Sequence, residues 1–240
     1  MTEPIVVTGG GTGIGRAVVG RLVADGRNVL AVGRRREPLA ALADELGPRV
    51  TPLSADVSTI EGAAAVAHAV QSCAGVVAAA GGLSPQSGDD LPAVRDAWQA
   101  SFASNVLSAV LVVEALRPRL VAAAGRVVLL SSIAGLRGSG GGPYGAMKAA
   151  LHAYCFDLAR DLGAAGGTAN VLAPGFVPDT EFWEGRRTPE LIAERAKGTL
   201  VGRPGSPEEV ASLVGWLLGP DGGWVTGQIL SPNGGAVLGR

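Results

Sequence analysis

The chain has 240 residues and a net charge of −1, a balance that gives no indication of a nucleic-acid or anionic-membrane partner. Its length suits one large α/β domain or two small ones. Cys73 and Cys155 lie far apart without metal-ligand spacing, so we expect no disulfide framework, no metal site and a reducing compartment. Residues 1–4 lead directly into a strand-like run, and no apolar stretch reaches the roughly 18 residues of a membrane span. The composition therefore predicts a cytoplasmic protein.

The chain opens with a predicted strand, a glycine-rich turn and a helix. The strand is Ile5–Val7, and apolar residues recur at helical spacing from Ile14 to Ala24. Glycines between them would let a phosphate approach backbone N–H groups at the positive end of the helix. This position after a strand and before a helix predicts a phosphate-binding turn, with an ordinary loop as the alternative. The residues assigned to a cofactor here are Gly9, Gly11, Thr12, Gly13, Ile14 and Gly15.

The second predicted strand, 28–32, ends at a run of arginines. Gly33 occupies the position where an acidic residue usually holds the free ribose 2′-OH of NAD, and Arg34, Arg35 and Arg36 follow it. Arginine at this point accommodates a 2′-phosphate. The pattern predicts NADP(H), with Arg34 and Arg35 as the phosphate contacts. The alternative is a basic helix start on the surface.

The remaining chain continues the alternation of strands and helices. Ser58 is the expected N-cap of the third helix, a break is expected near Pro92, and Pro118 is expected to end the long helix. The predicted strands are 49–55, 75–80, 125–130, 168–173 and 227–230. The predicted helices are 38–46, 58–70, 91–120, 144–162 and 206–218. A flexible glycine loop is expected at 135–142 and a substrate lid without strands at 176–200. The alternation predicts an α/β fold: a single domain, 1–240, with a seven-stranded, mostly parallel, doubly wound sheet flanked by helices.

Tyr144 and Lys148 are four residues apart at the start of an Ala-rich helical run. Residues at i and i+4 share a helix face, so the phenol and the ammonium can point into one site. A nearby ammonium favours phenolate and would lower the pKa of the tyrosine towards the range of a working acid or base. Such a pair alone also fits an amphipathic surface.

Taken together, the motifs resemble those of the short-chain dehydrogenase/reductase family over almost the whole chain. They are Thr8-Gly9-(x3)-Gly13-x-Gly15, Asp56-Val57, Ala80-Gly81, Asn105, Ser132, Tyr144-(x3)-Lys148, Pro174-Gly175 and residues 202–211. The resemblance implies a Rossmann-type fold and an NADP(H)-dependent oxidoreductase that interconverts a ketone and a secondary alcohol.

The resemblance also implies a role for each matching residue. Tyr144 would exchange a proton with the substrate oxygen, and Lys148 would lower the pKa of Tyr144 and bind the nicotinamide ribose. Ser132 would hydrogen-bond the carbonyl oxygen, and Asn105 would distort its helix to hold a water of a proton relay. The further cofactor contacts implied are Asp56 and Val57 at the adenine, and Ala80, Gly81, Pro174, Gly175, Val177 and Thr180.

The chain departs from the family pattern at several positions. The usual Asn-Asn-Ala-Gly is Ala78-Ala79-Ala80-Gly81, which keeps the backbone beneath the cofactor but loses side-chain support. Thr12 stands where NADP-binding members often carry a basic residue, and the Ser132–Tyr144 gap is one residue shorter than is common. Thr180 is displaced by one position from the threonine expected near the carboxamide.

Two substrate classes remain open. Phe176, Phe182 and Trp183 in the lid and a glycine-rich wall at 138–142 suit a free polycyclic or aromatic ketone, as in polyketide tailoring. A 3-oxoacyl group on an acyl carrier protein is the alternative, with basic residues such as those at 186–187 for docking. A non-catalytic NADP(H)-binding regulator is the alternative of another class. By resemblance, we expect a homodimer or homotetramer assembled through helices around 102–120 and 144–162.

Overall fold

Seven strands form one sheet in the computed structural model, which describes residues 3–84, 87–139 and 142–239. Their spatial order is β3-β2-β1-β4-β5-β6-β7, and every pairing is parallel. The strands are β1 (Ile5–Thr8), β2 (Val29–Gly33), β3 (Val50–Ser54), β4 (Gly75–Ala78), β5 (Arg126–Leu130), β6 (Thr168–Leu172) and β7 (Ile229–Leu230). The predicted doubly wound sheet is confirmed, and it is wholly parallel.

Helices cover both faces of this sheet. They are α1 (Gly13–Ala24), α2 (Arg36–Leu46), α3 (Ile60–Ala69), α4 (Leu91–Phe102), α5 (Ser108–Ala122), α6 (Ala134–Arg137), α7 (Tyr144–Gly163), α8 (Pro189–Lys197) and α9 (Pro207–Leu218). A π-helical segment, Ala103–Leu107, joins α4 to α5. Short 3-10 turns lie at Glu181–Trp183 and Pro220–Trp224.

Two apolar cores lie on the two faces of the sheet. Successive strand residues point to opposite faces, so Val6 joins the core under α3, α5 and α7, while Ile5 and Val7 join the core under α1, α2 and α9. All four residues of β1 are buried, as are those of β4 and β6. Burial on both faces is why β1 and β4 are nearly continuous apolar runs in the sequence, whereas β6 also buries Thr168 and Asn170.

Thr59, and not Ser58, caps α3. Thr59 Oγ1 accepts a hydrogen bond from Gly62 N at 3.0 Å. Ser58 instead donates from its backbone N and its Oγ to Asp56 Oδ1, at 3.0 and 2.7 Å. The prediction of Ser58 as the N-cap is wrong. Ser58 is hydrogen-bonded to Asp56, and the helix begins one residue later, with Thr59 as its cap.

Neither proline interrupts the long helical stretch as expected. Pro92 lies in the first turn of α4, where its missing N–H has no helical partner, and Asp90 caps that turn. Pro118 lies inside α5, which continues to Ala122. In that position the proline removes only one hydrogen bond, near the end of the helix.

Two segments to which the sequence assigned no helix contain one. The glycine loop is helical over α6, while Gly140 and Gly141 lie outside the described residues. The segment 176–200 has no strand among its residues, all of which are described, but it contains a 3-10 turn and α8. Part of this segment is therefore helical.

The helical stretch Leu91–Ala122 is long and apolar enough to cross a membrane by length and composition, contrary to the expectation from sequence. Its most apolar 18-residue window is 44% buried. Val112, Val113 and Leu116 are fully buried in the core against the sheet. The stretch therefore contributes a core helix to the fold.

Candidate active site

The carboxyl ends of all the strands meet at one edge of the sheet, and strand order reverses between β1 and β4. Ligands of open α/β sheets bind at such a switch point. A cleft of about 1260 Å³ opens there. This volume exceeds the roughly 300–1,000 Å³ of a typical small-molecule site, so the cleft has room for a cofactor and a substrate together.

Most of the predicted site residues line this cleft. They are Gly9, Thr12, Gly13, Ile14, Gly15, Ala80, Gly81, Ser132, Tyr144, Lys148, Pro174, Gly175, Val177 and Thr180. Gly11 lines a smaller neighbouring cavity beneath the lid. The predicted residues that line neither cavity are Asn105, Arg34, Arg35, Asp56 and Val57.

The glycine turn fits a cofactor diphosphate. A side chain at Gly15 would place its Cβ 2.1 Å from Gly9 O, and one at Gly9 would lie 2.9 Å from Ala79 O, so the turn packs too closely for any other residue. Gly13, with φ of +51°, begins α1, and the side chain of Thr12 makes no capping hydrogen bond. The first-turn N–H groups of α1 are thereby left for an anion.

The end of β2 brings Arg34 close to Asp56. The guanidinium helps to lower the pKa of Asp56, although hydrogen bonds from the Ser58 side chain and backbone are the larger causes. Arg34 and Arg35 are both exposed, and Arg35 Nη2 donates to Glu181 Oε2 of the lid at 2.5 Å. The Val57 side chain is buried in the core, so only its backbone is left to face an adenine.

Tyr144 and Ser132 form the polar centre of the cleft, and their side chains are hydrogen-bonded to each other. Ser132 Oγ also accepts a hydrogen bond from Ala134 N at 3.1 Å. Ser131 is buried and donates to Lys148 O at 2.9 Å. Ser132, which the resemblance assigned to the carbonyl oxygen of the substrate, thus lies beside Tyr144, whereas Ser131 is bonded to the backbone of α7.

Burial controls the pKa values of both members of the Tyr-Lys pair. It raises the pKa of Tyr144 to about 12, against the opposing hydrogen bond from Ser132. It lowers the pKa of Lys148 to about 8. The net shift of the Tyr144 pKa is therefore upward, opposite to the direction expected from its pairing with Lys148, because burial is the largest cause. Lys148 Nζ donates to Leu130 O at 2.8 Å and lies 5.8 Å from the centre of the tyrosine ring.

Asn105 lies in the π-helical segment and is almost fully buried. Its amide clamps the backbone of Gly82: Nδ2 donates to Gly82 O at 2.8 Å, and Oδ1 accepts from Gly82 N at 3.1 Å. Nδ2 also donates to Ser101 O, one turn earlier, at 3.1 Å. The expected helix distortion is present, and its visible effect is to fix the loop after β4 behind Lys148.

Thr8 supplies support that the sequence assigned to no residue. Its Oγ1 accepts a hydrogen bond from Ala80 N at 3.1 Å, which ties β1 to the loop after β4. This hydrogen bond anchors the backbone of Ala78-Ala79-Ala80-Gly81, the segment that departs from the family pattern. The signal was available in the sequence, since Thr8 directly precedes the first glycine of the turn.

His152 was not predicted from the sequence. Its Nε2 lies 2.9 Å from Ser131 Oγ, one helical turn beyond Lys148 on α7. Partial burial lowers the pKa of His152. Because Ser131 donates its own proton to Lys148 O, His152 donates to Ser131 and braces the start of α7. Only the i+4 spacing from Lys148 could have indicated it.

Aromatic rings of the lid lie directly over the candidate catalytic tyrosine. The Phe182 ring centre is 5.4 Å from that of Tyr144, and Trp183 packs edge-on against both Phe182 and Phe176. Arg186 stacks over Phe182 and Trp183 and donates to Phe182 O. The cleft above Tyr144 therefore has an apolar, aromatic wall with a cation at its rim.

Within the described residues, no three His, Cys, Asp or Glu side chains are grouped so that they could hold a metal ion. Cys73 and Cys155 are buried free thiols. The polar side chains that meet in the cleft, Ser132, Tyr144 and Lys148, form a set suited to proton transfer.

Comparison with known proteins agrees with this geometry. The family described as enoyl-(acyl carrier protein) reductase matches residues 9–237. A 3-oxoacyl-[acyl-carrier-protein] reductase, FabG, of Chlamydia muridarum is 32% identical, over 98% of this chain and 97% of its own. A chloroplastic NADPH-dependent aldehyde reductase-like protein of Arabidopsis thaliana is 33% identical, over 97% of this chain and 93% of its own.

Solved structures give the same result. The chain is similar to the Pseudomonas aeruginosa RhlG/NADP active-site complex, with a TM-score of 0.88 and 29% identity. That alignment covers 98% of this chain and 96% of the other.

Proposed function

Because the chain belongs to the short-chain dehydrogenase/reductase family of oxidoreductases, we propose that it reduces a free aromatic or polycyclic ketone to a secondary alcohol with NADP(H). The aromatic wall over Tyr144 is the observation that carries this proposal. Phe182 lies in ring contact with the proposed proton donor, so a flat apolar ketone can stack on the lid while its oxygen meets Ser132 and Tyr144.

The proposed chemistry requires a hydride and a proton. When bound, the reduced nicotinamide supplies the hydride to the carbonyl carbon. Tyr144 gives its proton to the oxygen, and Ser132 stabilises the negative charge that develops there. With a pKa of about 12, Tyr144 keeps its proton at neutral pH until the reaction draws on it. Lys148, with a pKa of about 8, is mostly ammonium at pH 7 and stabilises the phenolate that remains.

The NADP(H) proposal is supported by the exposed Arg34 and Arg35 after Gly33 and by the NADP named in the RhlG complex. In the proposed arrangement, the glycine turn holds the diphosphate and the arginines receive the 2′-phosphate. Lys148 and Asn105 lie on the nicotinamide side. The lid is 176–200, within a single domain.

A 3-oxoacyl group on an acyl carrier protein is the second candidate substrate. It is favoured by the relatives named as 3-oxoacyl-[acyl-carrier-protein] reductases. Three arginines in the cleft wall, Arg137, Arg186 and Arg195, could also meet an acidic carrier. The two substrates make different demands on the same cleft, since the carrier-bound one must enter as a thin chain.

Turnover with NADPH of a polycyclic ketone and of a 3-oxoacyl carrier protein, measured side by side, tests the proposal. We expect the larger kcat/KM with the polycyclic ketone; a preference for the carrier-bound substrate would select the second candidate. Tyr144→Phe keeps the ring contact with Phe182 but removes the proton, so turnover should fall by about 10²–10⁴-fold while NADPH still binds. Unchanged turnover in Tyr144→Phe would contradict the mechanism.

The proposal extends to assembly and location. Large apolar side chains remain exposed on α4 and α7, which supports a homodimer or homotetramer formed through these helices. Two buried free thiols are in keeping with the reducing cytoplasm.

A further inference from the structure

An ion pair joins the segment after β2 to Glu181, a residue of the cleft lining. Arg35 and Glu181 meet at 2.5 Å, and their side chains are 58% and 46% exposed. The partners come from distant parts of the chain: Arg35 follows β2, and Glu181 begins the 3-10 turn of the lid. The lid therefore places a carboxylate on an arginine that the sequence assigns to the 2′-phosphate.

Glu181 is held in this position from both sides. On one side, Thr180 lies on the glycine turn, with its Cβ 3.2 Å from the position that a side chain on Gly13 would take. On the other side, Phe182 packs against Tyr144. The backbone at Glu181 is thus held between the glycine turn and the Tyr144 ring, which keeps the half-exposed carboxylate within reach of Arg35.

We propose that Glu181 sets the preference between NADP(H) and NAD(H) by competing with the 2′-phosphate for Arg35. The inference rests on the proposed cofactor role of Arg34 and Arg35. A 2′-phosphate must displace the carboxylate to pair with Arg35, whereas a ribose with a free 2′-OH leaves the ion pair intact. An exposed ion pair is weak, so the phosphate can displace it, but at reduced affinity.

Replacing Glu181 by Gln keeps the side-chain size and removes the competing charge. Calorimetry should then show adenosine 2′,5′-bisphosphate and NADP⁺ binding up to about fivefold more tightly, with AMP and NAD⁺ unchanged. Glu184→Gln is the matched control. Glu184 is an exposed carboxylate of the same lid segment and lines the same small cavity as Glu181. The two differ because the hydrogen bond from Arg35 goes to Glu181.

The double variant tests whether Glu181 acts through Arg35. In an Arg35→Gln background, Glu181→Gln should no longer tighten binding of the bisphosphate. The inference is overturned if Glu181→Gln has no effect, if Glu184→Gln has an equal effect, or if the gain persists without Arg35.

Failure of the cofactor proposal has a different signature. The arginines do not bind the 2′-phosphate if the unmodified protein binds the bisphosphate no better than AMP and if Arg34→Gln and Arg35→Gln change neither affinity. If the unmodified protein prefers the bisphosphate and Glu181→Gln leaves that preference unchanged, only the role of Glu181 is refuted.

Discussion

Lys148 is a charged side chain in a place where the fold would be more stable with an apolar one. It is 4% exposed, and burial lowers its pKa from 10.5 to about 8. Between these two values the unfolded chain binds a proton that the folded chain has released. Stability therefore rises with pH across that window and is lowest below pH 8, where the buried ammonium must be kept. The protein accepts this cost at the residue proposed to stabilise the phenolate.

Lys148→Met should therefore make the protein more stable at pH 7 while abolishing reductase turnover. Its advantage in free energy of unfolding should shrink by roughly 1 kcal/mol between pH 7 and pH 9, because the unmodified protein regains stability as Lys148 becomes neutral. Urea denaturation at the two pH values measures this difference.

Lys197→Met is the matched control, since Lys197 is exposed on α8. Burial raises the pKa values of Cys73 and Cys155 to about 11 and about 12. These thiols therefore lower stability as the pH rises, but they do so equally in the unmodified protein and in both variants. An advantage of Lys148→Met that stayed constant with pH would contradict the assigned pKa.

At the residue scale, spacing predicted which side chains meet but not their ionisation. The i,i+4 rule placed Tyr144 and Lys148 together, and Ser132 follows from the end of β5. The direction of the tyrosine pKa shift depends on how deeply the ring is buried, and one ring that packs against it, Phe182, is 38 residues away in sequence. No local pattern carries that information.

At the scale of elements, the strands and long helices follow from apolar runs and helical periodicity, whereas their ends depend on single hydrogen bonds. Ser58 and Thr59 are equally acceptable N-caps by composition. Asp56 decides between them, because it accepts a hydrogen bond from the Ser58 hydroxyl. Thr59 is then the residue that caps α3. Helix α8 buries no side chain and was not predicted, although Thr188 and Pro189 give it the same cap and first-turn proline as Ser206 and Pro207 give α9.

Thr59→Ala should lower the free energy of unfolding by about 1 kcal/mol, because Gly62 N loses its acceptor at the start of α3. Ser58→Ala should change it by less than about 0.5 kcal/mol, because that hydroxyl is exposed and bonds only within the turn. Urea denaturation of both variants measures the contrast. A larger loss in Ser58→Ala than in Thr59→Ala would mean that the cap lies where the sequence alone placed it.

At the scale of the whole molecule, both faces of the sheet are buried, but some outer helices leave large apolar side chains exposed. Trp98 and Phe102 on α4 and Phe156 on the neighbouring α7 remain 40–44% exposed. Tyr154 of α7 donates to Glu114 of α5 at 2.7 Å, which joins α7 to the helix that follows α4 and the π-helical segment. An apolar patch on a rigid surface is typical of a subunit interface.

We therefore expect Phe102→Glu together with Phe156→Glu to shift the protein towards a smaller assembly, since a charge buried in an apolar interface is strongly unfavourable. Analytical ultracentrifugation of the two proteins at equal concentration measures the change. Ile60→Glu is the control: Ile60 is 74% exposed at the start of α3, a helix that packs chiefly against α5. If the double variant keeps the mass of the unmodified protein, or if Ile60→Glu dissociates it equally, the interface does not lie on α4 and α7. If it falls to half the mass rather than to a single chain, a second interface must hold the remaining pair, and the unmodified assembly is a tetramer.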